Sequence, residues 1–211
     1  MKFYHYWRSS AAYRVRIGLS LKDVTVEQIP IELREGKQHE SSYRTVNPAG
    51  LVPSLETDEG LLRQSMAILE YLDERFPTPA FLPKTPLARA EVRALCQDIG
   101  CDIHPLNNLR VLKRLRSQFD ASEAAVNDWY RHWIKTGLDA LETLSERHGS
   151  GQWFYHDQLS MVDVLLVPQM YNAVRYDIPI DAWPRLQRIY QHATAQPAFA
   201  RAAPERNQPA D

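Results

Sequence analysis

Two adjacent hydroxyls, Ser9 and Ser10, stand between an aromatic strand-like run, FYHYW, and a helix-like segment carrying Arg14 and Arg16, with Arg8 directly ahead of them. The first turn of a helix has backbone N–H groups without intrahelical partners and carries the positive end of the peptide dipole. An N-cap accounts for one serine there, contributing about 1 kcal/mol. A cap takes one hydroxyl, so two readings stand: both serines serve the helix start alone, which physics by itself favours, or one of them donates a hydrogen bond to an anion held there. If that anion is a thiolate, its pKa falls from ~8.5 toward neutrality and it becomes a nucleophile at cellular pH. The chain has no cysteine at this spot. The thiol therefore has to come from a bound small molecule.

Other chemistries find no support in the residue pattern. The seven histidines show no HExxH and no pair at i,i+4, so a metal site is not expected. G-x-G-x-x-G, P-loop and G-x-S-x-G signatures are absent. A net charge of −1 across 211 residues gives no basic field for nucleic acid. No apolar run approaches the ~20 residues that span a bilayer, and no signal-peptide pattern precedes the first strand. Cys96 and Cys101 lie on different faces of one helical pattern, so no disulfide is expected and a reducing cytoplasm is the expected setting.

The elements that must position these groups can be read from periodicity. Lys2–Trp7 reads as a strand, Ser10–Leu21 as a helix and residues 24–31 as a second strand. A short helix is expected before the Asn47-Pro48 stop, then a hairpin from LVPSLET and GLLRQ, then a helix over Ser65–Phe76. Four prolines in PTPAFLPKTP (77–86) separate this half from one almost without strand signal. Residues 87–118 read as a long helical pattern interrupted at Pro105, and Val126 to Leu144 as another long helix. Ser160 and Asp163 fit a capping box ahead of an apolar run. The first helix carries two apolar stripes, so it is expected to be covered from two sides, by its own sheet and by the helical domain. The tail PERNQPAD (204–211) is expected to be frayed and without a role. The result is a small α/β domain of roughly 80 residues followed by a larger all-helical one.

Three segments, RSSAAYRVRIGL, NPAGLVPSL and RQSMAILEYLDERFPTP, resemble the zeta class of glutathione transferases, and within it the bacterial maleylacetoacetate isomerases. The similarity continues through CDIHPLNNLRVL and SMVDVLLVPQMYNAVRYDI and so spans nearly the whole chain. The resemblance implies a thioredoxin-like N-terminal domain (1–80) that binds glutathione, an all-α C-terminal domain (87–211) that binds substrate, and a homodimer. Ser9 and Ser10 would sit beside the glutathione sulfur. Pro53 would be a cis-proline, with the backbone of Val52 pairing with the cysteinyl part of the tripeptide. Gln64 and Ser65 match the pair that holds the γ-glutamyl carboxylate, and a carboxylate at a helix start is also what the dipole favours. Gln38 matches a further glutathione contact; without the family, both Gln38 and Gln64 would read as solvated surface. Family members often carry S-S-C where this chain has Ser9-Ser10-Ala11, so no protein thiol serves as nucleophile here.

A maleyl substrate bears carboxylates across a cis double bond, and its site needs cations in a fork geometry. Arg8, His104, Arg110 and Arg175 are the candidates, with His104 and Asn108, four apart on one expected helical face, also placed against glutathione. The expected reaction is reversible thiolate addition to the double bond, rotation, and release of the trans product, with glutathione regenerated. That reaction converts maleylacetoacetate to fumarylacetoacetate in tyrosine and phenylalanine breakdown. Maleylpyruvate isomerisation, conjugation of small electrophiles such as α-halo acids, and a non-catalytic module on the same fold are the alternatives.

Overall fold

The structure, a computed structural model, describes residues 1–209. Two compact units emerge: one combines residues 1–81 with the returning segment from Thr194, and the other is Leu82–Ala193.

In the first unit β1 (Lys2–His5), α1 (Ser10–Leu21) and β2 (Glu27–Pro30) form a right-sized parallel βαβ unit. A short α2 (Ser41–Val46) leads to the antiparallel hairpin of β3 (Ser54–Thr57) and β4 (Gly60–Arg63), and α3 (Ser65–Arg75) follows. The sheet order is β2-β1-β3-β4, with β1 and β3 antiparallel. Both leading strands are shorter than periodicity predicts, for identifiable reasons. The carbonyl of Tyr6 accepts from Ser9 N–H at 3.0 Å, which turns the chain out of the ladder before Trp7. Val24 N–H closes the end of α1 on Leu19 O at 2.9 Å, so pairing of β2 with β1 starts only where Glu27 N–H meets Met1 O at 3.1 Å.

Phe3, Ala12, Val15, Leu19, Leu55, Ile68 and Leu72 make the buried core where α1 and α3 lie on the sheet. Gly18 permits this approach: a Cβ there would stand 2.4 Å from a Leu69 methyl. Every residue of α1 from Ala11 to Leu19 is buried, so the expected second cover exists. Within this unit it comes from α9 (Pro197–Ala202), whose Ala202 carbonyl accepts from Arg16 Nε at 2.9 Å. Residues 204–207 of the tail are held in place. Pro204–Arg206 forms a 3₁₀ turn with Pro204 buried, and Asn207 Nδ2 donates to the carbonyls of Arg201 and Ala203. Ala210 and Asp211, the end of the segment expected to fray, lie outside the described residues.

The second unit contains α4 (Pro86–Gln97), α5 (Leu109–Phe119), α6 (Glu123–Ser145), α7 (Met161–Arg175) and most of α8 (Pro184–Ala195). α7 is buried from Met161 through Met170, and the predicted Ser160/Asp163 box starts it: Asp163 Oδ2 accepts from Ser160 N–H at 2.8 Å. Oδ1 of the same carboxylate accepts from Phe154 N–H at 2.9 Å. Complete burial pushes the Asp163 carboxyl up to about 6, against the pull of these donors. The interruption in residues 87–118 is wider than one proline. Asp98–Ile103 is a π-helical segment, followed by turns up to Asn108. His104 N–H reaches back five residues to Ile99 O, and Pro105 has no N–H to resume the helix. His104 and Asn108 therefore do not share a helical face, contrary to the expectation. Among the described residues no helix is long and apolar enough to cross a membrane, and no cluster of three or more His, Cys, Asp or Glu is placed to hold a metal ion.

Candidate active site

Sheet register brings three of the predicted segments to one edge. Tyr4 faces Ser54 across β1 and β3, and Ser54 faces Arg63 across β3 and β4. Just beyond this row lie the β1–α1 junction with Ser9 and Ser10, the Val52-Pro53 step entering β3, and Gln64-Ser65 opening α3. β2 ends at the same edge, where His5 faces Pro30, and the segment leading to Gln38 departs from there.

At the first junction Ser9 is the N-cap of α1, its Oγ accepting from Ala12 N–H at 3.2 Å. The bond uses a lone pair and leaves the hydroxyl proton to donate to an anion. Ser10 is the first helical residue. The two helix arginines are held within the unit. Arg14 donates to Ser65 Oγ at 3.2 Å, tying the starts of α1 and α3 together, and Arg16 donates to Trp7 O at 2.8 Å. Arg8 is half-buried, stacks its guanidinium 4.9 Å over the Trp7 ring, and keeps a buried Nε without a hydrogen bond.

The Val52-Pro53 peptide is cis, as the resemblance implies. Neither the N–H nor the carbonyl of half-buried Val52 finds a hydrogen-bond partner among the described residues. Gln64 adopts φ 69°, ψ 122°, a conformation that L side chains rarely take, and its side chain makes no capping bond to α3. The first N–H groups of α3 thus face outward without a side-chain acceptor, next to buried Ser65. Gln38 is not solvated surface: it lies 7% exposed in the 3₁₀ turn Lys37–His39, with its Oε1 buried and unbonded. Gln64 is exposed.

The second unit holds the other candidates. His104 sits half-buried in the turn after the π segment. Asn108 caps α5, its Oδ1 accepting from Arg110 N–H at 3.1 Å. Arg110 is exposed in the first turn of α5. Arg175 is exposed in the last turn of α7, where a cation suits the helix dipole, with its guanidinium 5.1 Å from the Tyr176 ring. Tyr176 stacks on buried Tyr130 with centroids 3.6 Å apart.

Sequence reasoning missed Tyr43, Asn47 and Ser54, which lie buried around the cis-proline step. Asn47 was visible only as a helix stop. It also missed the bridging role of Arg14, for which burial of a charged residue on an apolar stripe would have been the signal.

Glutathione is the group these residues fit. An unpaired peptide edge at Val52, outward N–H groups at α3, a buried amide oxygen at Gln38 and a donor hydroxyl at Ser9 match a tripeptide carrying backbone amides, a carboxylate and a thiol.

Comparison with known proteins identifies relatives that bind glutathione. Residues 1–74 match the model for the glutathione S-transferase N-terminal domain. A probable maleylacetoacetate isomerase of Vibrio cholerae is 48% identical over 208 residues, covering 98% of this chain and 96% of that one. The holo structure of a maleyl pyruvate isomerase, described as a bacterial zeta-class glutathione S-transferase, superposes with a TM-score of 0.95 at 40% identity, covering 99% of both chains. The crystal structure of a maleylacetoacetate isomerase from Methylobacterium extorquens AM1, with malonate and glutathione bound, gives 0.94 at 37% identity, covering 99% of this chain and 98% of that one.

Proposed function

The chain belongs to the zeta class of the glutathione transferases, and on that footing we propose that it is a glutathione-dependent isomerase converting maleylacetoacetate to fumarylacetoacetate. The observation that carries this is the near-full-length identity to a protein of that name, joined to a sheet edge whose open polar groups suit a tripeptide thiol. The first unit takes glutathione, and Arg8 together with cationic groups of the second unit takes the carboxylates of the diacid. Residues 77–86 are the linker between these roles. The enzyme works as a homodimer in the cytoplasm, within tyrosine and phenylalanine breakdown.

When bound, glutathione would supply the thiolate nucleophile for a reversible addition to the maleyl double bond. The chain's own residues do the rest. Ser9 and Ser10 donate to the sulfur, and the α1 N-terminus favours its negative charge. Val52 pairs its peptide edge with the cysteinyl segment, next to Pro53, while Gln64 and Ser65 hold the γ-glutamyl carboxylate at the start of α3, with Gln38 as a further contact. His104 and Asn108 line the glutathione and substrate positions. Arg8, Arg110 and Arg175 clamp the carboxylates and offset the added negative charge in the transition state.

Maleylpyruvate is the second candidate substrate, favoured by the likeness to a maleyl pyruvate isomerase. The deciding assay follows isomerisation of maleylacetone, a surrogate for the longer diacid, against maleylpyruvate, with glutathione measured before and after. Faster turnover of maleylacetone with no loss of glutathione is the expected result. Stoichiometric loss of the thiol makes the protein a conjugating transferase instead, and no turnover combined with no retention on immobilised glutathione makes it a non-catalytic module. Ser10→Ala is expected to raise the pKa of bound glutathione, read as thiolate absorbance, and to slow isomerisation about tenfold or more. If thiolate titration and rate are both unchanged, Ser9→Ala is the variant that must show the effect.

A further inference from the structure

The residues around the cis-proline step form a closed hydrogen-bond circuit. Tyr43 Oη donates to Leu51 O at 2.7 Å, which uses its one proton. The 3.0 Å contact between Tyr43 Oη and Ser54 Oγ must then be a donation from the serine. Ser54 Oγ in turn accepts from Asn47 Nδ2 at 3.2 Å, and the second Nδ2 proton goes to Leu51 O at 2.7 Å. Asn47 Oδ1 is taken by Ala49 N–H at 3.1 Å. Every proton has an acceptor, and all three side chains are buried: Tyr43 is 3% exposed, Asn47 2% and Ser54 0%.

The circuit grips the chain on both sides of two residues and leaves those two alone. Leu51 O lies immediately before Val52, and Ser54 Oγ immediately after Pro53. A network that served only to fold the loop would be expected to satisfy the loop's own peptide groups, yet Val52 N–H and C=O have no partner among the described residues. The same turn also braces the Gln38 segment. Gly50 takes φ +62°, its N–H bonds Asn47 O at 2.9 Å, and a Cβ on it would come within 2.9 Å of Gln38 O. One buried circuit thus sets the position of two of the proposed glutathione contacts.

We propose that Tyr43, Asn47 and Ser54 are positioning residues for glutathione, holding the Val52 peptide edge at the height and tilt that the tripeptide backbone requires. This rests on the glutathione assignment above. A fully satisfied buried network acts as a unit, so its members should not contribute independently.

The test measures glutathione affinity by calorimetry and kinetics in the full-length protein for Tyr43→Phe, Ser54→Ala and the double variant. Ser145→Ala serves as a control, because it removes another buried hydroxyl, one that donates to Glu142 O outside the site. Each single variant is expected to weaken glutathione binding about three- to tenfold. The double variant should lose about as much as either single one, with kcat and the KM for the diacid at saturating glutathione within twofold of wild type. Ser145→Ala should lower the thermal midpoint while leaving glutathione affinity intact. Affinities within twofold of wild type in both single variants overturn the proposal, as do losses that multiply in the double. Where Ser54→Ala does not fold, Asn47→Ser takes its place in the same cycle. Wild type that fails to bind glutathione at all refutes the underlying assignment and is distinguished from failure of the clamp by that measurement alone.

Discussion

Gln64 joins an unfavourable backbone to a proposed binding role. Its φ of 69° costs a side-chain-bearing residue on the order of 1–3 kcal/mol, and nothing in the fold uses its side chain as a cap. A residue kept strained at a helix start suits the proposed role of turning its backbone and amide toward glutathione. Gln64→Gly removes the strain along with the amide, whereas Gln64→Ala removes only the amide. The glycine variant should therefore be more stable than the alanine variant by about 1 kcal/mol in denaturant titrations, with both binding glutathione several-fold more weakly than wild type. Equal stability of the two variants would show that the backbone is relaxed. The cap at Ser9 was legible in the sequence because a hydroxyl at a strand–helix junction is what a helix start needs, and the doubled hydroxyls marked Ser9 and Ser10 as candidates. Tyr43 and Ser54 were not legible, because nothing in residue order says that a tyrosine eight places before a peptide group will reach its carbonyl.

At the scale of elements, a short-range capping signal marks several of the helix starts. Ser9, Thr85, Ser122 and the Ser160/Asp163 box all stand at helix starts, because a cap is chemistry within three residues of chain. Contacts between elements distant in sequence were not legible. The second apolar stripe of α1 pointed to a cover from the helical domain without saying which helix, and α9 reaches it from 186 residues away through Arg16 and Ala202. The expected common face of His104 and Asn108 failed because turns, following a π segment that ends at Ile103, replace the helix between them. Gly18 lets α1 approach Leu69 of α3. An added methyl meets Leu69, a side chain with 0% exposure and little room to yield. Gly18→Ala should therefore cost about 1–3 kcal/mol despite the better helix propensity of alanine, read as a lower urea midpoint.

For the molecule as a whole, two buried groups, one in each unit, couple folding to pH with opposite signs. His5 is 6% exposed and stacked on Phe3 at 5.0 Å; burial, with the Arg16 charge nearby, pushes its imidazole down to about 4. The unfolded chain protonates this histidine near 6.5, so its contribution is present above that pH and is lost as pH falls from about 6.5 to about 4. Asp163 runs the other way. Its folded carboxyl titrates at about 6 while the unfolded one stays near 3.8, so the native state holds the extra proton and loses stability as pH rises from about 4 to about 6. Each shift corresponds to about 3 kcal/mol at most, and over the shared window they nearly cancel. Wild-type stability should for that reason conceal both. Substitution separates them: relative to wild type, His5→Gln should gain up to about 3 kcal/mol as pH is lowered from 6.5 to 4, and Asp163→Asn should lose a similar amount over 6 to 4. Constant offsets between variant and wild type, from lost stacking or a weakened cap, are expected and carry no information; only the slopes count. Chemical denaturation of the three proteins at half-unit pH steps reads those slopes directly. Parallel curves for all three would mean that neither group titrates differently in the folded and unfolded chain.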